Sequence, residues 1–248
     1  MEYEFGAYSG RAENQKIKLF IDNFVGREFG LDNVDLDKII FKPQDDSCFC
    51  ENIAGYYCSN EKAIVLRYED WIDFTKIGPF QIHVLVHEIQ HSANNKKFSD
   101  LINAIEKSKC KSVLKIGLEK MYDEYLAEYI ACKRVKGFST NSIDGLIQIS
   151  KDIKNKSKSP LDLYTECINV IPQAIGEMRV IFEKNGEELL EKICEELQNS
   201  EFEKIVRDFD DIMKNVDNLE MDLYLEKCAL VLMDLINYLE IDSGTRSL

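Results

Sequence analysis

His87-Glu88-Ile89-Gln90-His91 fits the pattern HExxH, and nowhere else in the chain do residue types and spacing permit chemistry so plainly. On a helix, residues four apart project from one face, so the two imidazoles can chelate one tetrahedral ion. The glutamate between them is angled toward the same side. It can take a proton from a water that the ion has acidified to a pKa of about 7. Ile82, Leu85, Val86 and Ile89 fall on the opposite side of the helix and would anchor it in a core. Two imidazoles and a carboxylate along a core helix need polar partners, and a metal supplies them.

A catalytic zinc site needs a third protein ligand and an open position. The chain holds three histidines, and the third, His83, lies on the same helix. A ligand from there would sit one turn too far along the axis, so His83 is expected to pack or hydrogen-bond rather than bind the ion. The third ligand should therefore be a carboxylate. Between Tyr122 and Arg134, Glu124, Ala127, Glu128 and Ala131 share one helical face, while Tyr122, Leu126, Tyr129 and Ile130 cover much of the rest. Small alanines allow close approach of another helix, yet burying two carboxylates there is costly unless a cation neutralises them. Either glutamate could be the ligand. Glu124 is preferred, which leaves Glu128 to accept the N–H of a ligating histidine and fix its tautomer. An oxyanion would need a further donor, for which Tyr122, Tyr125, Tyr129 and Tyr164 are candidates.

The elements that must hold these residues are legible in outline. Residues 11 to 28 carry apolar side chains at helical spacing, ended by Gly30. Lys38 to Pro43, then Ala54 to Cys58, a Ser-Asn-Glu-Lys turn, and Ala63 to Arg67 read as short strands. From about Phe80 the pattern is almost wholly helical, with breaks at 137 to 142 and 154 to 160. The expected fold is α+β and mostly helical: a domain over residues 1–140 with a small antiparallel or mixed sheet and the HExxH helix, then a helical domain over 141–248. The last ninety residues repeat helical spacings, for example Leu189, Leu190, Ile193 and Leu197, then Phe202 to Val216.

Composition narrows the classes. A formal charge of −14 repels phosphate backbones and anionic membranes, so neither nucleic acid nor membrane is an expected partner. The start, Met-Glu-Tyr-Glu-Phe-Gly-Ala-Tyr, lacks the basic and apolar regions of a signal peptide, and no apolar run is long enough to span a bilayer. A cytoplasmic chain with reduced thiols is expected. Cys48, Cys50 and Cys58 could hold a metal or form a redox pair, but the spacing is not Cys-x-x-Cys and no fourth ligand is evident, so ordinary thiols are expected there.

Together these residues resemble the ImmA/IrrE-like metallopeptidases, a gluzincin family. The likeness covers about residues 50 to 135: a glycine-containing hairpin from Gly55 to Arg67, the HExxH helix, and Glu124-Tyr-Leu-Ala127-Glu128-Tyr-Ile-Ala131 in place of the family's Glu-x-x-Ala-(Asn/Asp)-x-x-Ala. The resemblance implies a zincin-like fold with zinc on His87, His91 and Glu124, and Glu128 as the neighbouring carboxylate. It also implies a substrate edge strand formed by Ala63, Ile64, Val65, Leu66 and Arg67, where an extended protein or peptide adds by strand pairing. The implied activity is cleavage of a protein substrate, with regulatory proteases of mobile elements or stress responses as the analogy. The alternative is a zinc-bound, non-hydrolytic regulator that grips a partner protein through its C-terminal helices. A third reading, an acidic helical interaction protein, would hold no metal.

Overall fold

Lys38-Ile-Ile-Phe-Lys42 alternates polar and apolar side chains, and in the computed structural model it is a strand whose Ile39 and Phe41 are buried while its other residues are half-buried. The structure describes residues 1–49, 54–73, 76–107, 112–135, 141–181, 191, 193–195, 197, 200–215 and 221–241. Its strands are β1 (Glu2–Glu4), β2 (Lys38–Lys42), β3 (Gly55–Cys58) and β4 (Ala63–Arg67). They form one mixed sheet in the order β1-β2-β4-β3, with β1 and β2 parallel, β2 and β4 parallel, and β3 antiparallel to β4.

This order corrects the expectation that Ala63 to Arg67 forms the sheet's edge. Val65 has Ile40 opposite it on one side and Tyr56 on the other, so both hydrogen-bonding edges of β4 are taken. The physical signal is the unbroken apolar run: Ala63, Ile64, Val65 and Leu66 are all buried, as suits a strand covered on both faces. The half-buried β3, Gly-Tyr-Tyr-Cys, is the edge on that flank among the described residues.

The chain divides into two compact units. The first comprises Met1–Ser99 and Lys133–Phe138, the second Asp100–Cys132 and Ser139–Leu248. The expected boundary after residue 140 differs from this division for residues 100 to 132, and its break at 137 to 140 lies outside the described residues.

In the first unit, helices α1 (Ala12–Glu28) and α2 (Pro79–Lys97) share a core with the sheet. Ile17, Ile21 and Val25 of α1 meet Ile39, Phe41, Ile64 and Leu66 of the strands and Leu85 and Ile89 of α2, with Tyr68 and Trp71 filling the space. Proline at the first turn of α2 and a Gly78 N–H donated to the Gln81 side chain (2.9 Å) set where that helix begins. Its far end is tied down by Asp35, which accepts from Asn95 Nδ2 (2.8 Å) and whose N–H donates to Ser92 O (3.2 Å). Gly55 matters to this layer because an added Cβ would come within 2.8 Å of Leu66 Cδ2 and 3.1 Å of Val84 Cγ1. The bare backbone lets β3 lie against α2 one turn before the HExxH residues.

The second unit is helical: most of α3 (Ser99–Lys107) and α4 (Ser112–Arg134), with α5 (Ser142–Asn155), α6 (Pro160–Ile181), α7 (Ser200–Lys214) and α8 (Met221–Tyr238). Helix α6 presses on α4 through Gly176, where a Cβ would stand 2.8 Å from Tyr125 O and 2.9 Å from Tyr129 N. The backbones approach this closely only because the side chain is missing. Fully buried Glu177, next in α6, accepts the Ser142 N–H at the start of α5 (3.1 Å). The buried Asp210 of α7 pairs with Arg179 and, at 3.0 Å, with Lys214. Leu189, Leu190 and Val216 of the expected helical pattern lie outside the described residues.

The chain is thus α+β, mostly helical, with a small mixed sheet. Among the described residues, no helix is long and apolar enough to cross a membrane.

Candidate metal centre

Helix α2 divides as its sequence suggests. Leu85, Val86 and Ile89 are buried in or beside the core, and Ile82 is half-buried. Along the histidine row the ring centroids of His87 and His91 stand 4.7 Å apart with planes at 78°, whereas His83 and His87 stand 6.3 Å apart. The closer, crossed pair is the one within the HExxH motif. Glu88, His91 and His83 are buried and His87 is partly exposed, so water reaches this row at His87.

On α4, Glu124 and Glu128 are both buried, alongside Ala127 and Ala131. Each carboxylate has a donor. Lys120 Nζ donates to Glu124 Oε1 (2.7 Å) and Gln173 Nε2, from α6, donates to Glu124 Oε2 (2.8 Å). These two bonds fix the plane of the carboxylate, and Lys120 partly offsets its charge. The Cys132 thiol donates to Glu128 Oε1 (3.1 Å); burial, with Glu128 beside it, pushes that thiol well above its usual pKa.

Among the described residues, these histidines, glutamates and Cys132 are side chains that could hold a metal ion. His83, His87 and His91 belong to the first unit, and Glu124, Glu128 and Cys132 to the second. Two imidazole nitrogens and one carboxylate oxygen are a usual donor set for zinc with an open position, so the residue types of His87, His91 and Glu124 fit the expected ion.

Sequence reasoning did not single out Gln173, Lys120, Cys132 or Gly176. Cys132 had a visible signal, since it follows Glu128 by one turn on the same face as Glu124. Gln173 had a fainter one, an amide within the apolar run Ile-Asn-Val-Ile-Pro-Gln-Ala-Ile of α6. Of the tyrosines considered for an oxyanion, Tyr164 is committed elsewhere, donating to Val113 O (2.8 Å), and Tyr122 packs edge-on against Tyr224 at 5.5 Å. Tyr125 and Tyr129 stack on each other at 5.9 Å.

Cys50 lies outside the described residues. Cys48 and Cys58 are free thiols. Cys48 is raised in pKa by burial and by Asp46, whose carboxylate accepts the Cys48 N–H (3.0 Å). No family model, curated protein or solved structure matches this chain.

Proposed function

We propose that the protein is a zinc-dependent endopeptidase of the ImmA/IrrE-like kind, acting on a protein substrate. The observation that carries this reading is the pair His87 and His91 on α2, ring centroids 4.7 Å apart, with buried Glu88 on the same helix between the two histidines; Glu124 would supply the third ligand. Bound there, zinc would supply the positive charge that polarises a peptide carbonyl and acidifies a water. His87, partly exposed, marks the side open to substrate. Glu88 takes the proton of the attacking water and returns it to the leaving amine. Gln173 and Lys120 hold the Glu124 carboxylate in one orientation, as partners of metal ligands commonly do.

An extended substrate would pair with β3 rather than β4, because β4 has no free edge. Strand β3 lies against α2 at Val84, one residue past His83, which brings its edge beside the helix that carries Glu88.

Glu88→Gln tests the scheme. It keeps the shape of the side chain and removes the base, so zinc content should stay at the wild-type value while peptide hydrolysis falls by about 10²–10⁴-fold. A variant that keeps both zinc and full activity would sink the proposal. Zinc binding without hydrolysis in the wild type would favour the non-hydrolytic regulator instead.

A further inference from the structure

We propose that the second unit binds a small zwitterion with an apolar body, of the kind that a short apolar peptide with free ends provides, in a cavity where the ends of α5, α6, α7 and α8 meet. Such binding is independent of the metal centre and of hydrolysis. Its basis is a cavity of about 850 Å³ whose lining comes wholly from residues between 153 and 240, all in that unit. Small-molecule sites span roughly 300–1,000 Å³, so the volume suits a short peptide.

The lining divides by chemistry and by element. Leu163 of α6, Ile205 of α7 and Leu239 just past α8 are buried and supply its apolar part. The end of α5 and the turn into α6 add Lys154, Lys156 and Lys158, whereas α7, α8 and the residues just past α8 add Glu201, Asp234 and Glu240. Some of these charges are matched within their own helix pair. Lys158 meets Asp152 (3.0 Å) and Glu166 (2.7 Å), and Asp234 meets Lys204 of α7 (3.3 Å). Lys154, Lys156, Glu201 and Glu240 are exposed and have no ion-pair partner among the described residues. Two cations from one helix pair and two carboxylates from the other therefore remain beside apolar side chains. A zwitterion complements that pattern, its carboxylate to the lysines and its ammonium to the glutamates. A plain anion would meet repulsion from the glutamates. Lys156 and Glu240 also stand in left-handed backbone, φ 50° and 57°, just past α5 and α8. Glycine would end either helix there at lower cost, and strained residues of other types gather at ligand clamps. Each helix end carries a charge to the cavity instead.

The test is calorimetric titration of the tripeptide Leu-Leu-Leu into the full chain carrying Glu88→Gln, so that a bound peptide is not cut. One equivalent should bind. Acetylating the peptide's amine or amidating its carboxylate should each weaken binding about tenfold, the loss of one charge-assisted contact. Lys154→Gln with Lys156→Asn should weaken the free peptide by a similar factor and leave the affinity of the amide unchanged. Glu201→Gln with Glu240→Asn should do the same for the free and acetylated peptides. Asparagine is used at 156 and 240 because it tolerates left-handed backbone. All four side chains are exposed, so the variants should fold as the parent does. No heat of binding at millimolar peptide, or binding that both blocked peptides and both double variants retain, would overturn the site. Binding that senses the lysines but not the glutamates would overturn the zwitterion in favour of a plain anion. Binding that is lost in His91→Ala and indifferent to these four residues would place the peptide at the metal centre, which overturns this site and leaves the peptidase reading intact.

Discussion

The two helices that carry the expected donors differ in access and in support. On α2, His87 is partly exposed between buried His83 and His91, whereas on α4 Glu124 and Glu128 are both buried. Each carboxylate on α4 meets donors of its own unit, Glu124 from Lys120 and Gln173 and Glu128 from Cys132. The histidine row thus offers a side chain open to water, and the carboxylate row offers oxygens fixed in orientation, two different ways of preparing a donor.

Substitutions can break or sharpen this contrast. The largest effect is expected from His91→Ala, which removes one of the two imidazoles: hydrolysis should fall to background and elemental analysis should show the zinc lost. Gln173→Leu comes next. It removes the donor to Glu124 Oε2 but no ligand, so zinc affinity, measured by competition with a chelator, should weaken about 10–100-fold. Affinity unchanged in that variant would mean that Gln173 does not orient Glu124 for the ion.

Gly176→Ala should act on stability. Its Cβ would meet main-chain atoms of Tyr125 and Tyr129 at 2.8 and 2.9 Å, which cannot move aside as a flexible side chain can. A loss of about 1–3 kcal/mol in denaturant unfolding is expected, with weakened activity because α6 also carries Gln173. Gly55→Ala should cost less, about 1 kcal/mol, since the nearest atom it meets belongs to the mobile end of Leu66. An equal or larger loss at Gly55 would show that β3 is held more rigidly against α2 than Leu66 suggests.

Much of the fold could be read from pattern. The apolar spacing of α1, the alternation in β2 and the two-sided character of α2 are local properties, and the helices and strands formed where periodicity placed them. Strand order was not legible, because a short apolar run such as Ala63 to Leu66 does not say which neighbours it pairs with. Its complete burial was the clue to a central position, and burial is a property of the packed state. The partners of Glu124 were hidden for a similar reason. Gln173 lies far from Glu124 in sequence, and only the close approach of α6 at Gly176 brings its amide within hydrogen-bonding distance.

The sequence by itself determined the pair of imidazoles with a glutamate between them, since helical geometry alone puts residues four apart on one face. It also determined that two glutamates and a cysteine line one side of α4 at the same interval. Tertiary structure decided how the carboxylates of α4 are held: Gln173 of α6 donates to Glu124. It decided as well that β3 and not β4 offers an edge. Spacing along a helix is fixed by the chain's own hydrogen bonds, whereas the grouping of side chains from different helices depends on how closely and in what register the backbones pack.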